Sequence, residues 1–365
     1  MYSGGENMIN SDIGSSLKII IVTFIFGVLI IPVMKRVAHH IGAIDIPRSD
    51  EGNRHIHKKP IPKLGGVGIF LAFLFGYMLF GGHSIKMNAV LIGSFIIVFT
   101  GMIDDISDLR ASRQLIAQLA AAAVVVFYGD IVLTDITLFS YKLEFGMFSE
   151  LITMLFIVGC INIINFTDGL DGLSGGVTSI FYITTAIICF YQGRLGSLEM
   201  TLTLLMLGAT LGFLVHNFHP AKIFAGQCSM FMGFMISIIC LLGFKGTALT
   251  SLFVPILILG LPIIDTLFAI IRRALKGQPI FSADKFHFHH QLLGMNFSHR
   301  MTVLIIYFIN FLFGLTSIFY VLGDPNKGLI IYIVLTIILV WFVCYTNIVT
   351  EKKPPKLKLR KKKKQ

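Results

Sequence analysis

Three aspartates, Asp104, Asp105 and Asp108, lie close together in the segment Gly101-Met-Ile-Asp-Asp-Ile-Ser-Asp108, between two apolar stretches. Charge at a membrane boundary is expensive to keep and usually has a function. If a helix continues through this segment, Asp104 and Asp105 precede Asp108 by four and three residues, so all three carboxylates share one face and repel. A bound cation would remove that repulsion. We therefore predict a metal site at Asp104 and Asp105, with Asp108 beside it.

A second acidic cluster follows a later apolar run and reads Asn162-Ile-Ile-Asn165-Phe-Thr-Asp168-Gly-Leu-Asp171-Gly-Leu. Asp168 and Asp171 are three residues apart, and the glycines after them let the backbone approach a ligand closely. Two Asp-Gly turns without a ligand are the plain structural alternative. Their place directly after an apolar run favours a binding site that includes Asn165.

Histidines and cations form the third cluster, from Arg272 to His290. His287 and His290 share a face if this segment is helical, and together with His289 they can donate hydrogen bonds to phosphate oxygens. A zinc site is the competing hypothesis, but the usual histidine pair four residues apart and a nearby cysteine are absent from the sequence.

A cationic loop from Asp45 to Gly66 ends in Pro60-Ile-Pro-Lys63-Leu-Gly65-Gly66. Its cations, Lys63 among them, are suited to neutralising phosphates. The alternative is that they only set the membrane orientation of the chain.

These clusters must be positioned by membrane helices. Of the 365 residues, 55% are hydrophobic and 13% charged, and the mean hydropathy is +0.82, which excludes an ordinary soluble globular protein. Apolar runs near the roughly 20 residues that cross a bilayer predict an all-α polytopic protein with eleven spans. They cover residues 17–38, 65–80, 88–103, 114–128, 148–165, 175–192, 198–216, 230–244, 250–271, 301–321 and 329–348.

The distribution of Lys and Arg predicts the orientation. The segment after Glu351 carries nine cations and is expected inside, which places the N-terminus outside and puts 24 of the 30 cations on the cytoplasmic side. We divide the chain into a membrane domain, 1–350, and a basic, disordered tail, 351–365. The net charge of +11 favours anionic membrane lipid as the partner of that tail, rather than nucleic acid.

Other segments complete the prediction. The alternating outer segment Ile131–Glu144 is expected to form a small hairpin. The five cysteines lack metal-type spacing and lie mostly inside spans, so disulfides are not expected. No small-residue cleavage site closes the first span, which is expected to remain as a helix.

Oxygen ligands for Mg²⁺, cations and histidines for phosphate, and a surrounding membrane together indicate phosphoryl transfer to or from a lipid. A phosphate monoester has a second pKa of about 6 and is largely ionised at neutral pH. A lipid phosphate could therefore act as the nucleophile with little help from a base. The greater difficulty is to bring two anions together, and a metal and basic side chains achieve this.

Four motifs, in order and at similar spacing, resemble those of the polyprenyl-phosphate N-acetylhexosamine-1-phosphate transferases, or glycosyltransferase family 4. The resemblance covers nearly the whole chain and is specific when the motifs are taken jointly. The motifs are Asp104-Asp-Ile-Ser-Asp108, Asn165-Phe-Thr-Asp-Gly-Leu-Asp-Gly-Leu173, Asn217-Phe-His-Pro-Ala-Lys-Ile-Phe224 and Phe281-Ser-Ala-Asp-Lys-Phe-His-Phe-His-His290.

The resemblance implies an eleven-span enzyme of the bacterial plasma membrane that uses Mg²⁺, or Mn²⁺, at the cytoplasmic face. Such an enzyme moves a sugar phosphate from a UDP-sugar to undecaprenyl phosphate and releases UMP. The His-x-His-His form is similar to the N-acetylglucosamine branch, which favours UDP-N-acetylglucosamine as donor and teichoic acid or a related surface polymer as product. A homodimer is among the assemblies that we consider.

Residue roles carry over by motif. Asp104 and Asp105 are expected to serve the metal and the lipid phosphate, and Asp168 and Asp171 the nucleotide-sugar site; these four are the catalytic candidates. Whether an aspartate attacks covalently or assists the lipid phosphate stays open. The expected substrate-binding residues are Asn165, Asp108, Lys63, Asn217, Lys222, Arg272, His287, His289 and His290.

One segment departs from the family pattern. After Phe224 the family usually reads Met-Gly-Asp-x-Gly-Ser-Met-Phe, whereas this chain reads Ala225-Gly-Gln227-Cys228-Ser-Met-Phe231, one residue shorter. Gln227 stands in place of an aspartate that binds metal in the family, and a neutral amide is a poorer partner for a hard cation. We hypothesise a weakened or inactive homologue, or a local reading error caused by compensating frame slips, which resequencing would test.

Three rival functions remain. A transporter also has many spans and charges near the membrane, but here the acids cluster at one face and no internal repeat is evident. A prenyltransferase is suggested by Asp-Asp-x-x-Asp alone. This chain does not match the second Asp-rich motif expected of such an enzyme, and a prenyltransferase would not need the histidines. A non-catalytic lipid carrier or scaffold is suggested by Gln227.

Overall fold

The computed structural model describes residues 3–46, 60–138, 141–243, 259–275, 277 and 288–345, which fold mainly into helices. The helices are α1 Ser3–Ile41, α2 Gly65–Phe80, α3 Ile85–Ser107, α4 Ala111–Ala123, α5 Ser149–Thr167, α6 Leu173–Tyr191, α7 Leu198–Asn217, α8 Met230–Gly243, α9 Gly260–Leu275, α10 Phe288–Gly294, α11 His299–Leu322 and α12 Pro325–Tyr345. A π turn, Val124–Tyr128, extends α4.

Among the described residues, eight helical segments are long and apolar enough to cross a membrane, and α2 and most of α12 are shorter apolar helices. Each predicted span overlaps one of the observed helices, although the ninth is described only from residue 259. The prediction of a mainly helical protein with several membrane-spanning helices is therefore confirmed.

Helix starts follow local hydrogen bonding. Ser84, Ser197 and Ser298 each lie before a helix and accept a backbone N–H from the third residue along, at 3.1, 3.3 and 3.3 Å. These bonds satisfy donors that a helix N-terminus otherwise leaves unpaired.

Small residues bring α1 and α7 into backbone contact. A Cβ on Gly208 would lie 2.6 Å from the Ile20 carbonyl oxygen, and one on Gly212 would lie 2.8 Å from that of Phe24. Close approach through glycines four residues apart is a common way for membrane helices to gain dispersion energy. The close packing of α1 against α7 therefore helps to position the end of α7, where the site begins.

The core lies between α2, α6, α7 and α8. Phe73, Phe181, Phe213 and Phe231 are fully buried there, and the Phe73 and Phe231 rings pack edge to face with centroids 5.7 Å apart. This packing fixes the relative positions of the helix ends that carry the polar clusters.

Two small antiparallel sheets complete the fold. Strands β3 Asp135–Leu138 and β4 Tyr141–Glu144 pair with Asp135 opposite Glu144, so the predicted hairpin is confirmed. Strands β1 Ile44–Asp45 and β2 Ile61–Pro62 join the two ends of the cationic loop, whose residues 47–59 lie outside the described part. The four cysteines whose side chains are described are free.

Candidate active site

Asp104 and Asp105 lie in the last turn of α3 and are both buried, at 4% and 6% exposure. Asp104 accepts hydrogen bonds from the Leu109 backbone N–H and from Gln114 Nε2, the latter at 2.7 Å. Lys63 Nζ lies 3.9 Å from Asp105 Oδ1 and is partly exposed. Two carboxylates are therefore buried within the protein, and the Lys63 ammonium lies near one of them.

The predicted helical stack of Asp104, Asp105 and Asp108 is wrong. Helix α3 ends at Ser107, and Asp108 caps it in the left-handed conformation, with φ of 46° and an exposed side chain. The chain reverses there so that the Leu109 N–H can reach Asp104. Asp108 still interacts electrostatically with Asp104, but across a turn and not along one helix face.

The loop between α7 and α8 closes over Asp105. The Gln227 N–H donates to both Asp105 carboxylate oxygens, each at 3.1 Å. This approach depends on Gly226, which has φ of 68° and whose Cβ, if present, would lie 2.2 Å from Asp105 Oδ2. The backbone N–H groups of Gly65 and Gly66 donate to the carbonyls of Phe224 and Ala225 at 2.8 and 3.1 Å. The diglycine thus anchors this loop.

The side chain of Gln227 is held as well. Asn165 Nδ2 donates to Gln227 Oε1 at 3.0 Å, which joins the end of α5 to the start of the short 3-10 helix Gly226–Ser229. Two neutral amides therefore pair where the family pattern has a carboxylate. The shortened segment is still tightly packed, because a Cβ on Gly66 would lie 2.5 Å from Cys228 Cβ.

Asp168 lies in the turn between α5 and α6, close enough to Asp105 for their charges to interact. Ser174 Oγ donates to Asp168 Oδ1 at 2.5 Å. Burial raises the pKa of Asp168 to about 6, and the Ser174 hydrogen bond acts against that rise.

Asn217 positions the same turn through backbone contacts. Its Oδ1 accepts the Gly172 N–H and its Nδ2 donates to the Ile223 carbonyl, both at 2.9 Å. Tyr307 of α11 donates to the Gly172 carbonyl from the other side. The buried Asn217 amide, expected to bind substrate, is instead used to join two loops of the protein.

The histidine segment reaches the Asp168 turn through His289. Its ring lies against Gly169, where a Cβ would be 2.5 Å from Nε2, and His289 is 3% exposed. The ring of the half-buried His290 lies 4.3 Å from that of His289. The Phe288 N–H donates to Asp265 Oδ1 at 2.8 Å, which ties α10 to α9. His287 lies outside the described residues.

The remaining cations are distributed differently. Lys222 is exposed, and its backbone N–H donates to the His216 carbonyl at 2.9 Å. Arg272 is buried in the last turn of α9. Lys63 is paired with the candidate catalytic carboxylate of Asp105.

A polar cavity of about 240 Å³ opens beside the acids, between α4, α5 and the 3-10 helix. Most of its polar lining consists of amides, namely Gln114, Gln118, Asn162, Asn165 and Gln227. Gln114 links this cavity directly to Asp104. The arrangement provides space for a polar group next to the buried carboxylates.

Sequence reasoning missed one cluster, formed by Asp171, His219 and His299. His219 Nδ1 lies 2.7 Å from Asp171 Oδ2, and the His219 and His299 rings stack with centroids 4.2 Å apart. The sequence gives a weak signal for His219, which stands inside the Asn217–Phe224 motif, but no spacing pattern relates it to His299, 80 residues later.

The residues around Asp105 are suited to a hard cation. Asp104, Asp105 and Gln227 offer oxygen donors, the type that Mg²⁺ selects. Each carboxylate oxygen retains lone-pair capacity beyond the hydrogen bonds described. The donor chemistry fits Mg²⁺ or Mn²⁺, although with one carboxylate fewer than the family pattern provides.

Known proteins share sequence similarity with most of this chain. The family model described as Glycosyl transferase family 4 matches residues 87–244. A probable undecaprenyl-phosphate N-acetylglucosaminyl 1-phosphate transferase of Bacillus subtilis (strain 168) is 40% identical over 353 residues, which cover 94% of this chain and 96% of the relative. The chain belongs to glycosyl transferase family 4.

More distant relatives extend this similarity within the family. A decaprenyl-phosphate N-acetylglucosaminephosphotransferase of Mycobacterium tuberculosis (strain ATCC 25618 / H37Rv) is 32% identical and covers 75% of this chain and 74% of the relative. An undecaprenyl-phosphate alpha-N-acetylglucosaminyl 1-phosphate transferase of Escherichia coli (strain K12) is 25% identical and covers 78% of each. All three family members named here carry N-acetylglucosamine and a polyprenyl phosphate in their names.

Proposed function

We propose that this chain transfers N-acetylglucosamine 1-phosphate from UDP-N-acetylglucosamine to undecaprenyl phosphate and releases UMP. The observation that carries the proposal is the meeting of Asp105, Asp168 and His289 with Lys63 at one end of the helix bundle. The names of relatives that are 25–40% identical support the sugar and the type of lipid. The product would be the first lipid-linked intermediate of teichoic acid or a related surface polymer.

The proposed reaction exchanges one phosphorus–oxygen bond for another. An oxygen of the lipid phosphate bonds to the phosphorus that carries the sugar. The bond from that phosphorus to the bridging oxygen breaks, and UMP leaves with the electron pair. Because the lipid phosphate is already largely ionised near neutral pH, the protein mainly has to position the two substrates and offset their repulsion.

The side chains divide this work. Asp104, Asp105 and Gln227 would hold Mg²⁺ or Mn²⁺, which supplies positive charge to the diphosphate when bound. Lys63 offsets charge next to Asp105, and His289 with His290 can donate hydrogen bonds to phosphate oxygens. Asp168 and Asp171 are assigned to the nucleotide-sugar site, and Gly169 between them lets the His289 ring pack against this turn.

The membrane arrangement is part of the proposal. We infer eleven spans with the N-terminus outside, because this orientation puts 24 of 30 cations inside. The site would then face the cytoplasm, where nucleotide sugars are available. Residues 1–350 would form the membrane domain, and residues 351–365 a tail that binds anionic lipid.

A transfer assay with the purified chain tests the function. Labelled UDP-N-acetylglucosamine and undecaprenyl phosphate are supplied with Mg²⁺ or with EDTA, and lipid-linked sugar and UMP are measured. Asp105→Asn serves as the inactive control. Metal-dependent formation of both products is expected, whereas no transfer under either condition, with the protein folded, would refute the proposal.

A second candidate function is that of a homologue weakened at its metal site. It is favoured by the Asn165–Gln227 amide pair. A variant that combines Gln227→Asp with a glycine inserted after Cys228 restores the family spacing. Transfer by this variant alone would assign the loss to the loop, and equal transfer by both chains would exclude the weakened-homologue hypothesis.

A further inference from the structure

We propose that Asp171, His219 and His299 form a binding site for a transition-metal ion of the Zn²⁺ type, separate from the carboxylate site at Asp104 and Asp105. One carboxylate oxygen and one ring nitrogen from each histidine lie within 4.8 Å of one another. The three residues come from the α5–α6 turn, the loop after α7 and the first residue of α11. They are brought together only by folding.

The ligand types select the metal. Two imidazoles and one carboxylate suit Zn²⁺ and its neighbours, whereas Mg²⁺ prefers oxygen donors throughout. Three protein ligands with a fourth position open to water or another group form a composition that zinc sites use repeatedly. The two sites should therefore bind different ions from the same solution.

The polar atoms of His299 provide a second, independent reason. Both ring nitrogens are buried, and neither has a partner of good hydrogen-bond geometry among the described residues, although the ring lies near enough to the Asp171 backbone to interact with it. Buried polar atoms without good hydrogen-bond partners are unfavourable. A bound metal would use one nitrogen directly, so it would remove part of that cost.

Access and local charge are compatible with binding. The side chains of Asp171 and His219 are 13% and 36% exposed, so an ion can enter from the aqueous side. The Ala221 N–H donates to Asp171 Oδ2 at 3.1 Å and keeps that oxygen in place. Arg300 contacts the cluster, because its Nε donates to the His219 carbonyl at 3.2 Å, and its exposed side chain leaves its charge largely screened.

Binding requires a small rearrangement. Ligand atoms around a tetrahedral Zn²⁺ at about 2.05 Å lie roughly 3.3 Å apart, whereas the His219–Asp171 pair is 2.7 Å apart. The pair must open by about 0.6 Å, and the His299 nitrogen must approach, which rotation of the two stacked rings allows. The metal would then connect three segments, namely the turn that contains Asp168 and Asp171, the loop after α7, and the start of α11.

Cobalt binding to the full-length chain tests the proposal. The protein is purified in detergent with a tag that contains no histidine, stripped with a chelator and titrated with Co²⁺. Four-coordinate Co²⁺ gives visible d–d absorption, and bound Zn²⁺ is counted separately by elemental analysis. All titrations use a background with asparagine in place of His287, His289 and His290, so that the histidine segment cannot supply ligands.

We expect one equivalent of Co²⁺, retained in a hundredfold excess of Mg²⁺. His299→Asn and His219→Asn should weaken binding at least tenfold, while His40→Asn, an exposed histidine at the end of α1, should not. Zn²⁺ should raise the unfolding temperature of the parent protein, which is the background with the three asparagines, but should not raise that of its His299→Asn variant.

The metal-free His299→Asn protein must unfold near the parent temperature, which separates ligand loss from misfolding. If it does not, His299→Gln is used in its place under the same criterion. Absence of d–d absorption in the parent, or equal binding by the parent and the histidine variants, would overturn the proposal. In that case the cluster is a hydrogen-bonded Asp–His pair only. The readouts do not depend on sugar transfer, so this test is independent of the proposed function.

Discussion

Gly226→Ala should damage the candidate active site as well as the fold. Gly226 has φ of 68°, and a Cβ there would lie 2.2 Å from Asp105 Oδ2 and 2.7 Å from Oδ1. Left-handed backbone costs an alanine about 1–2 kcal/mol. Ordinary van der Waals contact begins at 3.4 Å, so the carboxylate oxygen at 2.2 Å must also move by about 1.2 Å.

That movement breaks the two 3.1 Å hydrogen bonds from the Gln227 N–H. A hydrogen bond to a charged group contributes about 1.5–3 kcal/mol, and a misplacement of about 1 Å at a reacting centre can cost 10²-fold. We expect kcat/KM for sugar transfer to fall roughly 100-fold, with a loss of unfolding free energy of about 2.5–5 kcal/mol from the backbone strain and the charged hydrogen bond together.

The matched control is Gly193→Ala. Gly193 has the same φ of 68°, but nothing lies within 4 Å of its added Cβ. It should lose about 1–2 kcal/mol of stability from the backbone alone and keep full activity. Transfer assays and unfolding of both variants in one detergent separate the two effects. If Gly226→Ala keeps the parent kcat/KM, the assignment of Asp105 to the reaction is wrong.

Three further predictions concern charge, pH and packing. Lys63→Met should lower kcat/KM at least tenfold with little change in unfolding temperature, because it removes the cation 3.9 Å from a buried carboxylate; an unchanged rate would exclude this role. If ionised Asp168 is required, activity should fall as the pH drops through about 6. Ser174→Ala should shift this acidic limb of the pH–rate profile to higher pH, because the hydrogen bond from Ser174 lowers the pKa of Asp168. An acidic limb that stays at the same pH, or shifts to lower pH, contradicts the assignment. Gly208→Val should destabilise by about 1–3 kcal/mol in thermal unfolding, because its Cβ meets a carbonyl at 2.6 Å, whereas Gly159→Val, with open space around it, should not.

Parts of the site could be predicted from local patterns. Asp104 and Asp105 were recognisable because charge next to an apolar run is costly, and the Asp168-Gly-Leu-Asp171 turn because glycines follow both acids. The hairpin at residues 135–144 followed from alternation of polar and apolar residues. These signals depend on neighbours in sequence, so no tertiary information was needed.

Other parts depended on contacts that sequence does not encode locally. Asp108 left the helix because the chain reverses after Ser107 to let Leu109 cap Asp104. Asn217 was expected at the substrate, but the fold uses both ends of its amide on backbone groups of two loops. A polar side chain in a motif can serve either purpose, and only its partners decide which.

The sequence by itself determined a helical membrane protein, its family and the acids most suited to the chemistry. Hydropathy and motif spacing are properties of the linear chain, and they persist whatever the helices contact. Only the tertiary structure decided that Gly226 lets Gln227 close over Asp105, that His289 packs on Gly169, and that His219 and His299 stack beside Asp171. Those relations join segments up to 128 residues apart, as for Asp171 and His299. They arise because helix packing brings the ends of separate helices to the same end of the bundle.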